Sequence, residues 1–118
     1  MNQVIVSGRL TQAPELKVLK EAVLVSAPIA INEHFKSKKT GEMKQETTFV
    51  DVRLWGPAAH EIAKLPKGQE VHIEGKLRED KWQDKETGQN RSKVYVQAFV
   101  LQALEKVQRE APAPAMER

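Results

Sequence analysis

At 118 residues, with 40% hydrophobic and 30% charged residues, the chain has room for one ordinary globular domain and no second core. It has no cysteine, which excludes disulfides and thiolate metal sites, and no apolar run near the roughly 18 residues that span a bilayer. A net charge of +3 leans mildly toward polyanionic partners.

The start, Met1-Asn2-Gln3-Val4-Ile5-Val6, lacks the basic and long apolar regions of a secretory signal, so a cytoplasmic protein without membrane association is expected. Val4–Leu10 reads as a first strand that continues beyond Pro14 into Leu16–Leu19. Ala22–Ile31 is a β-branched-rich second strand, with Pro28 marking a bulge or an edge. The charged stretch Glu33–Glu46, centred on Thr40-Gly41, predicts a long hairpin loop or mobile ribbon. Thr47–Trp55 is the cleanest strand, closed by Gly56-Pro57, and Ala58–Leu65 follows as a short helix. Pro66-Lys67-Gly68 is a turn, Glu70–Lys81 a fourth strand, Gln83–Ser92 a polar loop, and Lys93–Leu104 a fifth strand. Five strands with one helix between the third and fourth predict an all-β OB-fold barrel over residues 1–105. The remaining residues, 106–118, contain Ala111-Pro112-Ala113-Pro114-Ala115 and are expected to form a disordered tail.

Side chains alternate across a strand, so parity assigns them to faces. In the third strand Val50, Val52 and Leu54 belong to the core, and Phe49, Asp51, Arg53 and Trp55 to the opposite face. Two large aromatics beside an Asp and an Arg make a half-polar surface rather than an interior. A straight strand would separate Phe49 and Trp55 by roughly 20 Å, room for several nucleotides. In the fourth strand Val71, Ile73, Gly75 and Leu77 point inward, while His72, Glu74, Lys76 and Arg78 point outward, with Trp82 sharing the outward parity near Lys81. Phe35 heads the charged loop beside Lys36, Lys38, Lys39 and Lys44. Tyr95 and Phe99 are left as the expected aromatic members of the core.

Exposed aromatics interleaved with cations are what an unpaired nucleic-acid strand requires. Each base stacked on an aromatic ring contributes about 1–3 kcal/mol regardless of its identity. Lysine and arginine supply the salt-dependent phosphate attraction. Phe49 and Trp55 also have a second reading as a subunit interface, and the Lys36–Lys44 cluster alone reads as a solvated loop. Together, aromatics and cations on two strands and one loop favour nucleic acid. Catalysis is not expected: His34, His60 and His72 are scattered, no cofactor motif is present, and Asp51 has no acidic partner for a metal.

Several stretches resemble the bacterial single-stranded-DNA-binding protein family. They are Asn2-Gln3-Val4-Ile5-Val6-Ser7-Gly8-Arg9-Leu10 with Ala13-Pro14-Glu15-Leu16, then Thr40-Gly41-Glu42-Met43-Lys44, then Thr47 to Gly56. Lys67-Gly68, Val71 to Arg78 and Trp82-Gln83-Asp84 complete the match over residues 1 to 104. The resemblance implies a homotetramer that wraps single-stranded DNA, with bases stacking at Phe35, Phe49, Trp55 and Trp82. Family members that organise replication end in an acidic, Phe-terminated tip that recruits partners. Here Lys106, Arg109 and Arg118 outnumber Glu110 and Glu117, so the resemblance is to a tailless or shortened member, with the acidic partner-recruiting tail absent. A primosomal relative, dimeric and acting mainly through protein contacts, is the alternative. Single-stranded RNA stays open as a ligand, because stacking does not read the 2′-hydroxyl.

Overall fold

The computed structural model describes residues 1–104; the expected tail at 106–118 lies outside them. Eight strand segments occur: β1 (Val4–Leu10), β2 (Glu15–Val18), β3 (Val23–Ser26), β4 (Ile29–Lys36), β5 (Met43–Val50), β6 (Val52–Trp55), β7 (Glu70–Gln83) and β8 (Asn90–Ala103). One short helix, α1 (Ala59–Ile62), lies between β6 and β7. The segments are the five predicted strands with the first three each broken once, at Thr11–Pro14, Ala27-Pro28 and Asp51.

Each break lets a long strand change partners. β5 pairs antiparallel with β4, but after Asp51 the chain pairs antiparallel with β3 and parallel with β8. At the junction the Asp51 carbonyl accepts from Val96 N–H (2.9 Å), and the Val52 carbonyl accepts from Ala27 N–H (2.8 Å). The sheet order is β2-β3-β6-β8-β7-β1-β4-β5. This is the OB-type arrangement, with the sheet curling around its core while β2 and β5 remain open ends.

The core lies inside that curl. Leu10, Val25, Ile29, Val52, Leu54, Val71, Ile73 and Val96 are buried together, with Ala59 and Ile62 of α1 closing one end. Burying each such branched side chain contributes about 1.5–3 kcal/mol. The helix is shorter than the predicted Ala58–Leu65. Only Ile62 and Ala63 donate N–H four residues back, to Ala58 and Ala59, while Lys64 and Leu65 close tighter three-residue turns. Its start has no side-chain cap, since Ala58 occupies that position.

Of the two readings of Glu33–Glu46 the ribbon holds, and three further expectations are corrected. The stretch Glu33–Glu46 is mostly ordered ribbon: β4 and β5 stay in register from Ile29↔Val50 to Lys36↔Met43, and only Ser37–Glu42 turns. The Gln83–Ser92 loop shrinks likewise to Asp84–Gln89, because Asn90–Ser92 already pair with β7. Leu77, expected inside, is 49% exposed, and Phe99, the expected core aromatic, is 62% exposed. The cause of both lies in the long β7–β8 ribbon. Gly75 pairs with Ala98 but Glu74 with Val100, so Phe99 is the extra residue of a β-bulge. Leu77 lies opposite the core residue Val96, but β1 pairs with β7 no further than Gly75, so no strand flanks Leu77 on that side and inward parity does not bury it.

Candidate nucleic-acid interface

Four of the residues singled out as stacking platforms are open to solvent: Phe49 at 74%, Trp82 at 47%, Phe35 at 45% and Trp55 at 41%. Three of them line up on one side of the sheet. Phe49 is next to last in β5, on the side opposite Val50, beside Asp51 and Lys93 in a groove with Thr11 and Pro28. Trp55 ends β6, opposite Leu24 of β3, which in turn pairs with Lys17 of β2. Trp82 stands near the end of β7, directly opposite Arg91 of β8, in a concavity shared with Gln83 and Asn90. The break at Asp51 makes the straight-strand separation of Phe49 and Trp55, about 20 Å, an upper bound.

A charged seam joins these three points. Arg53 of β6 reaches across β8, with its Cζ 4.0 Å from the centre of the Tyr95 ring. Its Nη1 donates to Asp80 of β7 at 2.7 Å, and its Nη2 lies 3.8 Å from Asp51. Asp51 in turn accepts Lys93 Nζ at 2.9 Å. Partial burial works against the charged guanidinium, but the Asp80 hydrogen bond and the negative charges of Asp80 and Asp51 outweigh it and hold Arg53 above its usual value. The guanidinium therefore stays charged.

Lys76 and Arg78 share the side of Tyr95 and Gln97, their cross-strand partners, and Lys76 Nζ stands 5.9 Å from the Phe99 ring centre. Lys81 alternates to the reverse side of the ribbon from Trp82 and pairs with Glu79 at 3.6 Å. Phe35 is not brought to the face of Phe49. Its cross-strand partner is Lys44, on the side of Ile31 and Ile29, whereas Phe49 shares its side with Ala30 and Asn32. Lys36 falls on the Phe49 side, while Lys38 and Lys39 sit in the exposed turn. The site is thus a three-aromatic track on the sheet with a separate aromatic–basic arm.

Sequence reasoning missed Tyr95, Lys93, Arg91 and Lys17. Parity counted from Trp82 across the ribbon would have found Arg91, Lys93 and Tyr95 on its side. Tyr95 is buried as expected; what the sequence does not show is that Arg53 of another strand covers its ring. At the ribbon tip, Asp84 fixes the turn. Its carboxylate accepts from the Glu86 amide (2.9 Å), more weakly from the Thr87 amide (3.4 Å), and from Arg91 Nε (2.9 Å). The Glu86 backbone bond first, and then Arg91, hold its pKa below the usual value. Arg91 is thereby anchored opposite Trp82.

A sequence profile of the "Single-strand binding protein family" matches residues 1–104. The single-stranded DNA-binding protein of Wolinella succinogenes is 44% identical over 107 residues, covering 88% of this chain and 64% of its own. That of Helicobacter pylori is 39% identical over 119 residues, covering 98% and 65%. That of Deinococcus radiodurans is 35% identical over 106 residues, covering 88% and 34%. The chain spans about a third to two thirds of the length of these relatives. Among solved structures, a deletion mutant of the single-stranded DNA binding protein from Thermus aquaticus superposes with a TM-score of 0.80 at 28% identity, covering 92% of this chain and 53% of that one. The Plasmodium falciparum SSB in complex with ssDNA superposes with a TM-score of 0.77, covering 89% and 96%. At 24% identity that second likeness speaks for the fold alone.

Proposed function

Because the chain belongs to the single-strand binding protein family, we propose that it binds single-stranded DNA without regard to sequence, in the cytoplasm, during replication, recombination or repair. The observation that carries this reading is the alignment of Phe49, Trp55 and Trp82, all exposed, along one sheet face with Arg53, Arg78, Arg91 and Lys93 between them. Bases stack on the rings at about 1–3 kcal/mol each, and the cations follow the phosphates. The Phe35 arm with Lys36, Lys38, Lys39 and Lys44 extends the path. Residues 1–105 are the binding unit in this reading, and its role is binding rather than catalysis.

The binding unit assembles as a homotetramer in this proposal. The edge of β1 supports self-association: Val4–Ser7 pair with β7 on one side only, since β4 meets β1 just at Arg9 and Leu10, and Ile5 beside that edge is exposed. Light scattering tests it; a tetramer mass agrees, and a dimer would favour the primosomal alternative.

Fluorescence anisotropy of labelled oligo-dT, with duplex DNA and oligo-U as competitors, tests the ligand. Tight binding displaced by neither competitor supports the proposal. Equal displacement by duplex would contradict it, and preference for oligo-U would move the assignment to RNA.

A further inference from the structure

The cations of the track are not equally available. Arg53 is held by Asp80 and Asp51, and Lys93 by the same Asp51 carboxylate. Lys76 and Arg78, by contrast, make no ion pair among the described residues. Asp51 is also sheltered, its side chain only 18% exposed, so its two ion pairs are less screened by water than ordinary surface pairs. Both carboxylates point to the side of the sheet that carries Phe49, Trp55 and Trp82.

A carboxylate on a guanidinium occupies the same planar donor fork that a phosphate uses. We propose that Asp51 and Asp80 are internal phosphate mimics that occupy Arg53 and Lys93 in the free protein and must yield them when a single strand binds. The inference rests on the single-stranded-DNA reading above and assigns these two acids an opposing role within it. Two consequences follow physically. The centre of the track contributes less to affinity than its cation count suggests, because each phosphate contact replaces an existing ion pair. Salt dependence is also shallower, because a cation already neutralised by a carboxylate adds little to the counterions that the DNA releases. Tyr95 keeps Arg53 in place throughout, since its ring holds the guanidinium whether the donors face an aspartate or a phosphate.

The test is the affinity for labelled oligo-dT across a salt series for the full chain and for Asp80→Asn, Asp51→Asn and Glu61→Gln. Glu61, on α1 and paired with Lys64, gives the same change of net charge away from the track. Both Asn variants should bind about two- to fivefold tighter at low salt. Their plots of log affinity against log salt should steepen by about 0.7 per cation released, while Glu61→Gln stays at the wild-type values. Melting temperatures without DNA confirm that each variant is folded, and either Asn variant suffices if the other is not. Unchanged or weaker binding by a folded Asn variant overturns the proposal, as does equal tightening by Glu61→Gln. Wild-type protein that fails to bind oligo-dT at any salt contradicts the parent reading instead, before any variant is compared.

Discussion

Arg53 and Tyr95 meet on the side of the sheet that carries Phe49, Trp55 and Trp82: the arginine Cζ stands 4.0 Å from the tyrosine ring centre, and Tyr95 is only 6% exposed beneath it. Tyr95 is buried without joining the apolar core cluster. Its cover is a side chain from another strand, and that cover is charged.

Removing the ring should therefore cost both packing and the cation contact. Tyr95→Ala is expected to destabilise the fold by about 2–4 kcal/mol, the loss of a buried aromatic together with a cation–π contact. Tyr95→Phe, which keeps the ring, should lose less than about 1 kcal/mol. Urea denaturation followed by circular dichroism measures both, and equal losses would show that the hydroxyl, not the ring, carries the interaction.

The exposed tryptophans predict the opposite pattern. Trp82→Ala should weaken oligo-dT binding by about 1–3 kcal/mol and leave the melting temperature nearly unchanged, because the ring at the ribbon tip supports no core residue. Trp55→Ala should behave alike. Affinity and melting temperature falling together would mark these rings as structural.

Glycine at position 75 is demanded by the ribbon. An added Cβ would collide with the Gln97 carbonyl oxygen and approach the Ala98 Cα at 2.9 Å, all backbone that cannot step aside. Gly75→Ala should cost about 1–3 kcal/mol or more as overpacking, read from the urea midpoint. Gly8→Ala, whose Cβ would meet the Ala30 carbonyl oxygen at 2.6 Å, should be damaging for the same reason where β1 crosses from β7 to β4.

Asp84 predicts a local pH dependence. Its folded pKa lies below the usual value, so its contribution to the turn is present above the ordinary Asp pKa of about 3.9 and is lost as pH falls through the lower folded value. The amide signals of Glu86 and Thr87 should shift with a midpoint below that ordinary value, and Asp84→Asn should abolish the transition. A midpoint at or above the ordinary value would contradict it.

Much of this site was legible in the chain itself, and the misses have physical causes. Alternation works where one side of a strand is apolar and the other is not, so Val52 and Leu54 were separated from Phe49, Arg53 and Trp55 correctly. It is not applied at Val94–Leu101, where Tyr95 and Phe99 fall to the core by elimination, and the bulge at Phe99 interrupts the alternation midway. Tyr95 is buried as expected, whereas Phe99 is left exposed. At Glu33–Glu46 loop and ribbon stay open alternatives because strands that extend past a core need no hydrophobic period, and hydrogen bonds such as Thr47 Oγ1 to Asn32 Oδ1 at 2.7 Å hold the ribbon's sides instead. The partner change at Asp51 leaves no local signature, since it depends on where β3 and β8 lie.

The central claim is that unpaired bases stack on Trp55 and Trp82 while cations beside them hold the phosphates. Tryptophan emission during titration with oligo-dT, at low and then high salt, tests it most directly. Marked quenching that saturates at low salt and shifts to higher DNA concentration as salt rises is the predicted result. Unchanged emission on addition of DNA at low salt, or binding indifferent to salt, would contradict the account.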